Sequence, residues 1–385
     1  MNFQWPLIND NISQKDKEVL ADFILNSNRF TNGPKVKEFE EVWSKWLGVK
    51  YSVMVGSGAS ANYITTAIVR ELKGSGGEII VPTIGWVSDI SSVINTGFKP
   101  VFVDVDLDTM AIAHEAIRAA ITEDTKAIVL VHALGFNGLN EEIIKLSEEK
   151  NLILIEDCCE SHGATYKDSK IGTFGHMSCF SFYFGHHMTT IEGGMVCTND
   201  EEIYQLARMF RSHGMTREAS TEVQQRYFRE DLNPLFTFAV AGFNMRSSEL
   251  NAVLGLEQIK RLDQNIAARQ KNLDIWLSNL DPEKYYVDFY VEGNSSFSLP
   301  LIIKSDQVSM VDVCELLERE SVEYRTGTAG GGNQARQPYL EKHEYRVSGE
   351  LKVSDFIHER GLYIGNHPEL DEGQIINLCE ELNGV

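Results

Sequence analysis

His186 and His187 stand in Ser181-Phe182-Tyr183-Phe184-Gly185-His186-His187-Met188-Thr189-Thr190-Ile191-Glu192-Gly193-Gly194. An imidazole moves protons near neutral pH. A lone histidine pair in a loop is usually structural or merely exposed, so the surrounding residues must decide. A second group is Leu154-Ile155-Glu156-Asp157-Cys158-Cys159-Glu160-Ser161-His162-Gly163, an apolar run ending in carboxylates. An acid at a strand's C-terminal end either points into a ligand crevice or is a solvated loop residue. In the first case, a carboxylate facing a pyridine nitrogen keeps that nitrogen protonated. A third group is Val55-Gly56-Ser57-Gly58-Ala59-Ser60-Ala61, small residues between a strand and a helix. Free N–H groups at a helix start bind anions, and small residues let a phosphate approach. A tight turn without a ligand is the other reading.

Alternating elements would position these groups. Short apolar runs at Ser52–Val55, Glu78–Val81, Pro100–Val105, Ala127–Val131, Leu152–Ile155, Cys179–Tyr183 and Gly194–Cys197 read as strands. Helical patterns lie between them, including one from near Ala61, Glu141–Glu149 and Glu201–Arg211. This order predicts an α/β fold with a mostly parallel sheet covered on both faces. A long helix should run from about Ser247 to Leu280, with Ala252, Leu256 and Ile259 on one face, until Asp281-Pro282 stops it. The remainder predicts a smaller α+β unit with a strand at Ser296–Ile303 and helices at Ser309–Glu320 and Val353–Arg360. Gly327–Gly332 (GTAGGG) reads as a mobile loop.

Composition narrows the function classes. The chain has 385 residues, 43% apolar and 24% charged, which suits a large buried core. Its net charge of −21 disfavours nucleic acid and anionic lipid as partners. No apolar stretch has the length of a membrane span, and the N-terminus lacks the pattern of a secretory signal. None of the six cysteines forms a C-x-x-C pair, so a reduced, cytoplasmic protein without structural metal is expected.

Taken in order, the three groups resemble the sugar-nucleotide aminotransferases of the DegT/StrS type, which are fold type I pyridoxal-phosphate (PLP) enzymes. In that family a strand ends S-F-x-x-x-K-x-x-T-x-G-E-G-G, and the lysine holds PLP covalently. Here Ser181, Gly193 and Gly194 match, but the lysine position falls on His186. Lys170 precedes the strand, and the next lysine is Lys260. The likeness runs from about Ile8 almost to the C-terminus. It implies an aspartate-aminotransferase-like large domain over residues 1–265, with its N-terminal arm, and a small domain over 266–385.

The resemblance also implies roles. Gly58 and Ala59 would offer amides to the cofactor phosphate, and Ser181 its hydroxyl. Trp86 would stack on the pyridine ring, although a core tryptophan is the plainer reading. Asp157 would meet the pyridine nitrogen, with Glu160 beside the cofactor. Asn244 would reach the phosphate from a second subunit, in a homodimer with shared active sites. A histidine in place of lysine resembles the family's deoxysugar 3-dehydratases, above all those acting on GDP-linked 4-keto-6-deoxymannose. The doublet His186-His187, Glu160, and the tail Gly361-Leu362-Tyr363-Ile364-Gly365-Asn366-His367 strengthen that likeness.

PLP and its amine form PMP would then be held non-covalently. L-glutamate would supply the amino group, and His186 would be the catalytic base as a GDP-linked 4-keto-6-deoxy hexose or heptose loses its C3 hydroxyl. The implied end products are a 4-keto-3,6-dideoxy sugar and ammonia. Candidate substrate contacts are His187, Arg217, Arg246, Arg325 and His367. The arginines suit a diphosphate or a carboxylate, or are surface ion-pair residues. Three rival readings are a CDP-sugar iron–sulfur dehydratase, an ordinary sugar aminotransferase and a PLP-binding regulator without turnover. Only Cys314 and Cys379 lie beyond Cys197, which leaves no four-cysteine iron–sulfur cluster to build there.

Overall fold

A computed structural model describes residues 3–385. Its principal strands, in chain order, are β1 (Tyr51–Val55), β2 (Glu78–Pro82), β3 (Lys99–Val103), β4 (Thr125–Val131), β5 (Ile153–Asp157), β6 (Met177–Ser181), β7 (Gly194–Thr198), β8 (Ser298–Ile302), β9 (Tyr324–Thr326), β10 (Arg346–Val347) and β11 (Gly361–Gly365). Eight of them form one sheet in the order β1-β7-β6-β5-β4-β2-β3-β10. Seven point the same way, and β7 alone opposes them.

Side chains alternate across a strand, and here the two faces feed different cores. Ile79, Val81, Val129, Val131, Ile153 and Ile155 join Ile64, Ile68 and Ile90 on one face. Ile80, Ile128, Leu130 and Leu154 join Ile117, Ile143 and Leu146 on the other. Burial on both faces explains why these strands read as continuous apolar runs. A third cluster packs Phe39 and Trp43, from the helix Pro34–Leu47, on Met54, Phe180, Phe182 and Met195.

The predicted helices Glu141–Glu149 and Glu201–Arg211 form with those bounds. Two expectations need correction. The helix after β1 starts at Gly58 rather than near Ala61, because Ser57 caps it and accepts the Ser60 N–H. The long helix is interrupted: Glu249–Gln258 and Leu262–Asn279 are joined by a 3₁₀ turn at Ile259–Arg261. At that turn Arg261 pairs with the buried Asp16, and Gln258 donates to the same carboxylate at 3.0 Å. The polar network holds the N-terminal helix Gln14–Asn26 at the break.

Strands β8, β11 and β9 form a separate antiparallel sheet. Gly327–Gly332 lies beyond β9, and its glycines have a steric reason. Gly327, Gly330, Gly331 and Gly332 all have positive φ, and a Cβ on Gly330 would collide with the Gly85 carbonyl.

Candidate active site

The C-terminal ends of β4, β5 and β6 open on a cavity of about 300 Å³. This is where ligands sit in parallel α/β sheets. It is lined by Gly58, Ala59, Trp86, Asp157, Glu160, Ser181, His186 and Arg325, among others. The structure therefore brings together eight of the residues singled out from sequence.

The cavity's parts follow from local folding. Ser57 Oγ accepts the Ser60 N–H, and the Ser57 carbonyl accepts the Ala61 N–H. Gly58 and Ala59 begin the helix, so their N–H groups have no intrahelical acceptor. That is an anion site at the positive end of a sixteen-residue helix. Small residues are required: a Cβ on Gly58 would lie 2.6 Å from Ser181 Cβ and 3.0 Å from Cys159 Sγ. Gly194 is pressed likewise against the Ser57 backbone.

Asp157 ends β5 and is buried rather than solvated. Its Oδ1 accepts the Cys159 N–H at 2.8 Å, and its Oδ2 accepts Asn62 Nδ2 at 2.9 Å. Both bonds hold the carboxylate in a fixed orientation. Trp86 is 52% exposed and lines the cavity, which overturns the core-tryptophan reading and leaves an indole face free to cover a planar ring.

Glu160 and His186 are pushed in opposite directions. Burial raises the Glu160 carboxyl to about 7, although the Leu134 N–H, 2.8 Å away, favours its anion. Burial lowers the His186 imidazole to about 4, against the pull of the Asp157 carboxylate. His186 Nδ1 is buried with no partner among the described residues. A neutral imidazole and a carboxyl raised by burial to about 7 place a base and an acid within one cavity. No lysine lines it among the described residues.

Five candidates lie outside this cavity. His187 is buried, with Nε2 3.0 Å from the Ser295 carbonyl, and His367 Nε2 is 2.5 Å from the Pro6 carbonyl. Both rings face backbone carbonyls rather than the cavity. Asn244 is exposed, in a segment that bridges Ser212. Arg217 and Arg246 line a separate open groove with Arg29, His213, Phe236 and Phe238.

His132, Glu156 and Cys158 come within ligand distance of one another, and backbone N–H groups already occupy His132 Nδ1 and the Glu156 carboxylate. His132 Nδ1 accepts the Gly138 N–H at 3.1 Å, while Nε2 faces Glu156 at 3.3 Å. Glu156 also accepts N–H groups from Gly172, Phe174 and Gly175. This cluster braces β5 from below. Sequence reasoning missed Asn62 and Asp89, the latter an acid set among apolar residues just after Trp86.

The donor set fits a phosphate joined to a protonatable aromatic ring, which is the chemistry of PLP. Comparisons with known proteins agree. The chain is 35% identical to GDP-4-keto-6-deoxy-D-mannose 3-dehydratase of Yersinia pseudotuberculosis, over 97% of each protein. A GDP-4-keto-6-deoxymannose-3-dehydratase structure with a trapped PLP-glutamate geminal diamine superposes with TM-score 0.92 at 33% identity, covering 98% of this chain and all of that one. A mutant of the same enzyme with bound GDP-perosamine gives 0.92 at 32% identity with the same coverage. Residues 11–383 match the model of the DegT/DnrJ/EryC1/StrS aminotransferase family, and the chain belongs to that family.

Proposed function

We propose that this protein is a PLP- and PMP-dependent 3-dehydratase acting on a GDP-linked 4-keto-6-deoxy sugar. The observation that carries the reading is His186 in a cavity that no lysine lines among the described residues. When bound, PLP supplies an aldehyde that exchanges amino groups and a ring that accepts electrons. Among the described residues no lysine amine stands there to hold it covalently.

The residues then divide the work. Gly58 and Ala59 N–H groups and the Ser181 hydroxyl hold the phosphate, and Trp86 covers the ring. Asp157 keeps the ring nitrogen protonated. His186 takes a proton at the cofactor's C4′ carbon and delivers it toward the departing C3 oxygen of the sugar. Glu160, on the same wall, adds a carboxyl that burial raises to about 7. Glutamate supplies the amino group, and ammonia is released.

A homodimer completes the site in this reading. Asn244 of the second copy reaches the phosphate. The groove of Arg29, Arg217 and Arg246 gives guanidinium groups to a diphosphate, and Phe236 already packs under Arg217. Arg325 stands at the cavity mouth, donating to the Tyr363 hydroxyl at 3.3 Å.

The test is incubation of the protein with PLP, glutamate and a panel of GDP- and CDP-linked 4-keto-6-deoxy sugars. Mass spectrometry should find loss of water from a GDP-sugar. Turnover of CDP-sugars alone would overturn the nucleotide assignment, and formation of an amino sugar would overturn the reaction.

A further inference from the structure

In the wall of the cavity two acids share one amide. Asn62 Nδ2 donates to Asp89 Oδ1 at 2.8 Å and to Asp157 Oδ2 at 2.9 Å. Asp89, Asp157 and Asn62 are 2%, 5% and 4% exposed, so water does not screen them. Two buried carboxylates on one amide nitrogen cannot both be ionised cheaply, so one keeps a proton. The hydrogen bonds identify which. Asp157 accepts on both oxygens, from Asn62 and from the Cys159 N–H. Asp89 Oδ2 is buried and receives no donor among the described residues, which is costly for an anion, and the Asp89 carboxyl lies within hydrogen-bond reach of Asp157, which is natural for an O–H donor.

The titratable groups that feel Asp89 are Asp157, Glu160, Cys159, Cys179 and Tyr339, and none of them is a cation. Burial first, and the neighbouring Asp157 charge second, push the Asp89 carboxyl well above the usual carboxylate range.

We infer that Asp89 is a neutral acid that donates its O–H to Asp157 and so positions the carboxylate facing the ring nitrogen. This rests on the reading of Asp157 given above. Asp157 then receives three donors: Asn62, the Cys159 N–H and Asp89. Together they fix the orientation of the carboxylate that faces the ring nitrogen. The pair keeps a single negative charge opposite a single positive one. Asp89 is a positioning residue that acts through Asp157.

Two variants separate a donor from a charge. Asp89→Asn keeps size and a donor, while Asp89→Leu keeps size alone. Fluorescence titration of the full chain with PLP should find Asp89→Asn close to the parent. Asp89→Leu should bind roughly ten- to a hundredfold more weakly, the worth of a hydrogen bond to a charged group. Asp89→Asn binding as poorly as Asp89→Leu would show that Asp89 acts as an anion, and parent-like affinity in Asp89→Leu would show that it does not act through Asp157.

A second readout needs only Asp89→Asn. The folded parent holds a proton that the unfolded chain releases above the ordinary Asp value. The parent's stability should therefore fall relative to Asp89→Asn as pH rises toward neutral. Parallel melting temperatures across that range, in protein without cofactor, would overturn the proton assignment. Asp157→Asn with undiminished PLP affinity would instead overturn the reading of Asp157, leaving the melting comparison to report on Asp89.

Discussion

His186 is legible from sequence as the wrong residue at a lysine position, but its environment is not. Burial keeps it neutral and leaves Nδ1 without a partner, and burial depends on Phe297, Tyr183 and the N-terminal segment around Ile8. His187 and His367 show the limit from the other side. Their sequence neighbourhood matches the site, yet their rings face carbonyls of Ser295 and Pro6, far apart in the chain. Replacing His186 with asparagine should preserve PLP binding and cost about 10²- to 10⁴-fold in turnover, the usual worth of a general base. Comparing PLP titration with steady-state rates checks both halves, and near-parent turnover would remove His186 from the base role.

Glu160 gives a pH prediction with a definite sign. Its folded value of about 7 lies above its ordinary 4.5. The folded protein therefore retains a proton that the unfolded chain loses between those values. This contribution to stability is complete below 4.5 and is lost as pH rises through about 7. Glu160→Gln should flatten that decline, read as melting temperature across the range. Identical pH dependence in the two proteins would contradict it.

The elements of the large sheet were readable because period-two burial on both faces leaves apolar runs. Their ends were less readable, since caps and turns fix them. Ser57 starts its helix three residues earlier than hydrophobicity suggests, and the Arg261–Asp16 pair interrupts a helix whose pattern looks continuous. β10, only two residues long, gave no signal, although it extends the sheet by pairing with β3. Gly58 is where an element's start becomes chemistry. Gly58→Ala should force its Cβ against Ser181 and shift the helix N-terminus. Overpacking of about 1–3 kcal/mol predicts PLP affinity weakened by roughly five- to a hundredfold. Unchanged affinity would argue against the phosphate lying on this turn.

At the scale of the whole molecule, aromatic and aliphatic side chains stand exposed close to the arginine groove. Phe228, Leu235, Phe236 and Phe238 are each more than half exposed. Exposed apolar side chains beside polar ones suit an interaction surface, and the proposed homodimer would cover them. Phe236→Asp with Phe238→Asp should shift the protein from dimer to monomer in light scattering and reduce turnover with it. A fully active monomer would contradict shared sites. No helix among the described residues is long and apolar enough to cross a membrane.

The central claim is that a histidine cavity makes this member of an aminotransferase family remove oxygen rather than add nitrogen. The direct measurement supplies ¹⁵N-labelled glutamate with PLP and GDP-4-keto-6-deoxymannose, then locates the label. The expected result is ¹⁵N in free ammonia and a sugar product that has lost its C3 hydroxyl. Label retained in an amino sugar, with the C3 oxygen still in place, would contradict it.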